Sequence, residues 1–348
     1  VIFLAYTMCW DDNGQNAMKV KTFLSSPYRS SKGALPKLYK EIKKLMEQPI
    51  PPSTGSKLST ETKELMSLMY KQERLSAEDK IRLIIGCLNM DVASLSNQGE
   101  IPKRGFVVMG NTGSGKSTFI NYLHACKIES KKNDAGTSIV DVSRDSKVPA
   151  VTEIGHGSSS ATVLPVTTLL KDPEDDSVSF AIVDTPGFND NRGSEINIAN
   201  AVNTSAVTTY MKEATFVLLI DYASVNKPRY TGEFKTAVDT LKQFFPNGTI
   251  NDSNSILLLV NRIGEHATIK GTREQLKSYA DGHRDKNAAL FLRNLADNTF
   301  FYDPLRANAN GDLLSRNDVI QQMKHTCSIA DTSAFVPYLS SEDEKCVR

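Results

Sequence analysis

Cysteine is scarce in this chain: five in 348 residues, Cys9, Cys87, Cys126, Cys327 and Cys346. They are far apart, odd in number, and form no Cys-x-x-Cys or Cys/His pair at metal-ligand spacing. That excludes a disulfide framework and a structural zinc, and points to a reducing, cytosolic setting. An excess of either charge is missing as well, since 41 Lys plus Arg face 40 Asp plus Glu. Without a basic surplus, nucleic acid and anionic membrane surfaces drop out as expected partners. No apolar run is long enough to span a bilayer; the one near the start, Val1 to Tyr6, is short and lacks a basic leader. With the single Trp10 beside it, that run reads as a piece of hydrophobic core rather than a partner-binding strand. The start at Val1 rather than Met gives the expectation that this is a segment of a longer protein.

What is present is a globular composition, 40% hydrophobic and 23% charged, with length for one large or two moderate domains. Residues 1–100 read as a mainly helical N-terminal region. Leu35, Leu38, Ile42 and Leu45 form one stripe, Leu65, Leu68 and Met69 a second, and Ile81, Ile84, Ile85 and Leu88 a third. A Pro- and Ser-rich stretch, Pro49 to Ser56, separates the first two, and Ser76 followed by Asp79 marks a helix start. None of these segments carries chemistry, so the region is expected to serve interaction.

After Gly99 short apolar runs alternate with helical stretches. The runs are 105–109, 161–170, 178–183, 215–220, 256–260 and 299–302; the helices fall near 116–126, 195–212, 231–244, 272–296 and 315–326. Such alternation predicts a three-layer α/β domain with a mostly parallel sheet over about 101–330, followed by a tail at 331–348. The turn-rich Lys171 to Asp176 joins two runs into one antiparallel hairpin within it.

The strongest motif follows the first run: Gly110-Asn111-Thr112-Gly113-Ser114-Gly115-Lys116-Ser117-Thr118. This is G-x-x-x-x-G-K-[ST] between a strand and a helix, the phosphate-binding loop. Its backbone N–H groups and the helix N-terminus cradle phosphates. Lys116 would reach the β and γ phosphates, Ser117 would coordinate Mg²⁺, and Thr118 would add a contact to the α-phosphate. A second apolar run ends in Asp184-Thr185-Pro186-Gly187. In that Asp-x-x-Gly, Asp184 would hold the magnesium and Gly187 would sense the γ-phosphate.

Together these motifs resemble the translation-factor-related class of P-loop GTPases, and their detailed form is most similar to the septin, chloroplast-import-receptor and immunity-associated branch. The resemblance covers about residues 101–310 and implies a Ras-like P-loop NTPase domain binding GTP and GDP with Mg²⁺. An ATP-binding-cassette reading fails, because no Leu-Ser-Gly-Gly signature occurs and Thr185 rather than an acid follows Asp184. The resemblance also implies a switch threonine that completes the magnesium shell. Thr152 is the choice here, with Thr137, Thr162 and Thr167 as alternatives.

Two departures matter. Related GTPases read guanine with Asn/Thr-Lys-x-Asp, but this chain has Asn261-Arg262-Ile263-Gly264. Asn261 fits, Arg262 can stack on a purine, and Gly264 supplies no carboxylate; Glu265 is the nearest substitute. Phe188 stands where small GTPases usually place a water-orienting glutamine, so unassisted turnover is expected on the order of 10⁻⁴ per second or slower. Relatives lacking that glutamine use a homodimer across the nucleotide face or a protein partner. That implies Arg192 as a trans-acting arginine candidate and His156 as a water-orienting candidate. The expected function is a slow GTPase acting as switch or assembly device, with a nucleotide-bound scaffold that does not turn over as the alternative.

Overall fold

The computed structural model describes residues 3–8, 18–23, 60–70, 104–133, 135–155, 165–188, 213–245, 255–306 and 312–326, with scattered positions between them. The chain divides into two compact units. One comprises Val1–Ser94, Arg192–Ala206 and Leu339–Arg348; the other comprises Leu95–Asn191 and Val207–Tyr338.

In the first unit, β1 (Phe3–Met8) pairs antiparallel with β2 (Met18–Phe23), Phe3 opposite Phe23. The apolar opening of the chain is therefore one strand of a hairpin, within a region expected to be mainly helical. Helix α1 (Thr60–Tyr70) buries Leu65 of the second stripe together with Met66, while Leu68 is half-buried. The Ser76 hydroxyl accepts the Asp79 N–H at 3.1 Å, the capping contact expected there. The first stripe, 35–45, lies outside the described residues, as do Ile81, Ile84, Ile85 and Leu88 of the third.

The second unit is built on a six-stranded sheet. Its strands are β3 (Arg104–Met109), β6 (Val166–Lys171), β7 (Ser179–Asp184), β8 (Glu213–Asp221), β9 (Ile256–Asn261) and β10 (Thr299–Phe301). In space they run β10-β9-β8-β3-β7-β6. All neighbours are parallel except β6 and β7, the expected hairpin, which pairs Val166 with Asp184. The predicted α/β, Ras-like architecture with a mostly parallel sheet is thus what the chain forms. β9 is buried at every position and β8 at all but its two ends, as befits parallel strands covered on both faces.

Helix α2 (Lys116–Leu123) and helix α7 (Arg316–His325) cover one face. Phe119, Ile120 and Leu123 of α2 and Val319, Ile320 and Met323 of α7 join Phe106, Val108, Ile182, Val217, Leu219, Leu257 and Leu259 in one core. Phe119 sets its ring edge toward Tyr302 at 5.0 Å. The alternate strand residues, among them Val107, Phe216 and Leu218, are buried on the other face, and Phe245, just past α4 (Gly232–Gln243), meets Phe216 at 4.9 Å. A short helix, α3 (Tyr222–Val225), links β8 toward α4.

The single helical stretch expected over 272–296 is two helices, α5 (Ile269–Asp281) and α6 (Lys286–Asp297). Gly282 caps the first, and the Asp285 carboxylate accepts the Asn287 N–H to start the second. A further hairpin, β4 (Ile128–Lys132) with β5 (Ser138–Val142), follows α2.

Candidate nucleotide site

Parallel sheets place ligand sites beyond the carboxyl ends of their strands. Here β3 sits inside the sheet, with β7 on one side of it and β8 then β9 on the other. The loop after β3 therefore meets residues from both directions.

That loop, Gly110 to Gly115, turns directly into α2. Gly115 adopts φ of +91° at the helix N-cap, a left-handed conformation that glycine takes at little cost. Lys116 is 6% exposed, and its Nζ donates to the Gly110 and Asn111 carbonyls, each at 3.0 Å. The Asp184 charge lies close enough to interact with this buried ammonium. The Thr112 and Ser114 hydroxyls in the same loop are buried and have no hydrogen-bond partner among the described residues.

From β7 comes Asp184, which is fully buried. Its Oδ2 accepts the Ser117 hydroxyl at 2.9 Å and the Thr162 hydroxyl at 3.3 Å, and the two hydroxyls lie 3.2 Å apart. Its Oδ1 is buried and has no hydrogen-bond partner among the described residues. Burial pushes the Asp184 carboxyl above the usual carboxylate range, against the opposing pull of Lys116 and the two hydroxyls. A carboxylate in this position, with one oxygen idle and two hydroxyls on the other, fits a hard divalent cation of the magnesium kind. Among the described residues no three His, Cys, Asp or Glu side chains cluster as a metal site.

The segment after Asp184 is zipped to the loop. The Thr185 hydroxyl donates to the Val108 carbonyl at 2.7 Å, and the Phe188 N–H to the Gly110 carbonyl at 3.0 Å. A Cβ at Gly187 would lie 2.6 Å from the Thr112 nitrogen, so only glycine allows this approach. Phe188 is 7% exposed and packs against Phe244, ring centroids 6.1 Å apart. Its side chain belongs to the core and leaves no polar group at that position.

Thr152, the expected switch threonine, lies against α2. It is buried, its hydroxyl donates to the Ser117 carbonyl at 3.1 Å, and Asn121 grips its backbone. Asn121 donates to the Thr152 carbonyl at 2.8 Å and accepts the Val151 N–H at 2.8 Å. Thr152 is thus bound to the flank of α2, while Thr162, one of the alternatives, reaches Asp184. The reason is tertiary: Asn121 offers both amide atoms to the 151–152 backbone. Thr167 keeps its hydroxyl buried with no partner among the described residues, and Thr137 is exposed in the β4–β5 turn. His156 and Arg192 lie outside the described residues.

On the β9 side, Asn261 donates to the Ser114 carbonyl at 2.8 Å. Arg262, in a left-handed conformation with φ of +51°, donates to the Gly113 carbonyl at 3.1 Å and to Asp221 Oδ2 at 3.0 Å. A non-glycine residue held in that region stores strain, as loops at binding sites often do. Both residues of the altered base motif therefore brace the phosphate loop. Thr118 lies half-buried in the first turn of α2. Sequence reading missed Asn121 and Asp221. The signals were a polar residue one turn after Ser117 on an otherwise apolar helix face, and a lone acid ending the run 215–220.

No protein-family model matches the chain, and no curated protein matches it in sequence. Among solved structures it is similar to a chain of the signal recognition particle receptor SRb-GTP/SRX complex from Chaetomium thermophilum. The identity is 14% and the TM-score 0.34, over 60% of this chain and 96% of that one. So distant a likeness carries no weight for function, and the assignment of the fold rests on strand order and the loop.

Proposed function

We propose that the second unit is a magnesium-dependent nucleotide switch of the P-loop GTPase class, binding GTP and GDP and hydrolysing GTP slowly. The observation that carries this reading is the convergence of Lys116, Ser117, Thr162 and Asp184 at the carboxyl ends of β3 and β7. It gives a buried ammonium for phosphate, and two hydroxyls and a carboxylate for the ion.

In this reading the loop amides and Lys116 would bind the β and γ phosphates, and Ser117 and Asp184 would hold a magnesium ion, which would supply charge neutralisation for transfer of the γ-phosphoryl group to water with GDP as the leaving group. Thr162 ties the segment before β6 to the ion, and Gly187 ties the segment after β7 to the phosphate loop. Loss of the γ-phosphate would release both, which is how a nucleotide state becomes a shape. Thr152 and Asn121 form the fixed root of the first of these segments.

With the Phe188 side chain in the core, a group that orients the attacking water comes from elsewhere: a second copy across the nucleotide face, a protein partner, or His156. Arg192 is the candidate for a residue given in trans. The test is multiple-turnover phosphate release over a range of protein concentrations. A specific rate that rises with concentration supports dimer-assisted hydrolysis, and release that no concentration produces supports the scaffold that binds without turnover. The septin-like branch, a cytoplasmic location and the partner role of residues 1–100 belong to the same proposal. Among the described residues no helix is long and apolar enough to cross a membrane.

A further inference from the structure

Guanine differs from adenine at its Watson–Crick edge by N1–H and N2–H donors, and the strongest acceptor a protein offers them is an ionised carboxylate. The metal residues lie on the β7 side of the loop and Asn261 on the β9 side, so the base must lie toward the loops that follow β8, β9 and β10. Those loops hold few carboxylates, and among the described residues each of them except Glu265 already accepts a hydrogen bond or pairs with an arginine. Asp221 accepts the Ala223 N–H at 2.8 Å through one oxygen and Arg262 at 3.0 Å through the other. Asp303 is 9% exposed; it accepts the Leu305 N–H at 2.9 Å and pairs with Arg306 at 3.2 Å. Asp312 accepts the Ile269 N–H at 3.0 Å. Glu265 is exposed to solvent, where a carboxylate gains little from a hydrogen bond. Arg262 offers donors only, and these suit N7, which both purines carry.

We propose that this site selects its ligand through the phosphates and magnesium and scarcely discriminates between the purines, so that GTP and ATP bind within about tenfold of each other. Gly264 is the position that sets this. It stands where the resembling GTPases carry the carboxylate, beside Arg262, and a Cβ there would meet only the Tyr222 ring at 3.7 and 3.9 Å. A Cβ at 264 therefore makes only ordinary contact with its described neighbours.

The inference rests on the nucleotide-switch reading above, and the experiment separates the two. Equilibrium binding of slowly hydrolysed GTP and ATP analogues, with magnesium, is measured on the full chain and on Gly264→Asp, with thermal unfolding confirming that the variant folds. The unaltered chain should bind both analogues within about tenfold, and Gly264→Asp should shift the ratio at least tenfold toward the GTP analogue with ATP affinity little changed. A larger GTP preference in the unaltered chain overturns the inference and leaves the switch reading standing; its loss in Glu265→Gln would identify Glu265 as the reader. An unchanged ratio in Gly264→Asp overturns the placement of the base beside residue 264. If neither analogue binds, the switch reading itself falls.

Discussion

Replacing Asn121 with alanine should be among the most damaging single changes in the α/β unit that touch no nucleotide. Asn121 is fully buried. Its Nδ2 donates to the Thr152 carbonyl at 2.8 Å and the Ser117 carbonyl at 3.0 Å, and its Oδ1 accepts the Val151 and Thr152 N–H groups at 2.8 and 3.3 Å. Truncation strands two N–H groups and a carbonyl in a place with little water. Each lost bond is worth about 1 kcal/mol net, and each stranded buried group costs about 1–3 kcal/mol. Allowing for partial relaxation, the loss comes to roughly 3–5 kcal/mol, a large share of the ~5–15 kcal/mol that holds a typical domain. Thr152→Val keeps the shape but removes the bond to the Ser117 carbonyl and the 3.2 Å bond that the hydroxyl accepts from the Asn121 amide, so it should cost about 1–2 kcal/mol. Urea unfolding, with hydrogen exchange at Val151 and Thr152 to localise the effect, measures both. A cost below about 1 kcal/mol for Asn121→Ala would mean that the 151–152 segment is not anchored, and Thr152 would return as a switch residue.

Three further outcomes follow from particular contacts. Thr162→Ala should weaken magnesium-dependent triphosphate binding about tenfold, whereas Thr152→Ala should leave the magnesium dependence unchanged; magnesium titration at fixed nucleotide tells them apart. Phe188→Ala should cost about 2–4 kcal/mol through the lost packing on Phe244 and leave single-turnover hydrolysis unaltered, as denaturant melts and a single-turnover time course would show. The third concerns Asp172, whose carboxyl is held below its usual range by Lys324 at 2.7 Å. A depressed carboxylate contributes stability above its unfolded pKa and loses it as pH falls through the folded value. Lys324→Met should therefore lower stability by up to about 1 kcal/mol at neutral pH, and the gap to the unaltered chain should close in acid.

The sheet and the phosphate loop were legible because their signals are local. Buried parallel strands read as apolar runs, Lys171 to Asp176 is rich in turn residues, and glycine spacing around Lys116 admits few alternatives. The division of 272–296 was also written in the chain, at Gly282 and Asp285, yet the apolar period continues across both and hides the break. The β4–β5 hairpin has no such run: Ser130 meets Ser138 at 2.7 Å and Lys131 meets Asp141 at 2.6 Å across the strands, contacts that a hydrophobic pattern does not register. The choice between Thr152 and Thr162 was beyond the sequence for a different reason. Both stand in polar segments ahead of β6, and only the side chain of Asn121, 31 residues from Thr152, decides which hydroxyl is spent on α2 and which reaches Asp184. The bracing role of Arg262 is equally tertiary, since its partners Gly113 and Asp221 lie 149 and 41 residues away.

The central claim is that Lys116, Ser117 and Asp184 form a magnesium-dependent phosphate site. Calorimetric titration of GTP into the full chain, with magnesium and with it chelated, tests this most directly when Lys116→Met is run alongside. The account predicts micromolar or tighter binding with magnesium, at least tenfold weaker without it, and none resolved in Lys116→Met. Binding to no nucleoside triphosphate in the presence of magnesium, or equal affinity in Lys116→Met, would contradict it.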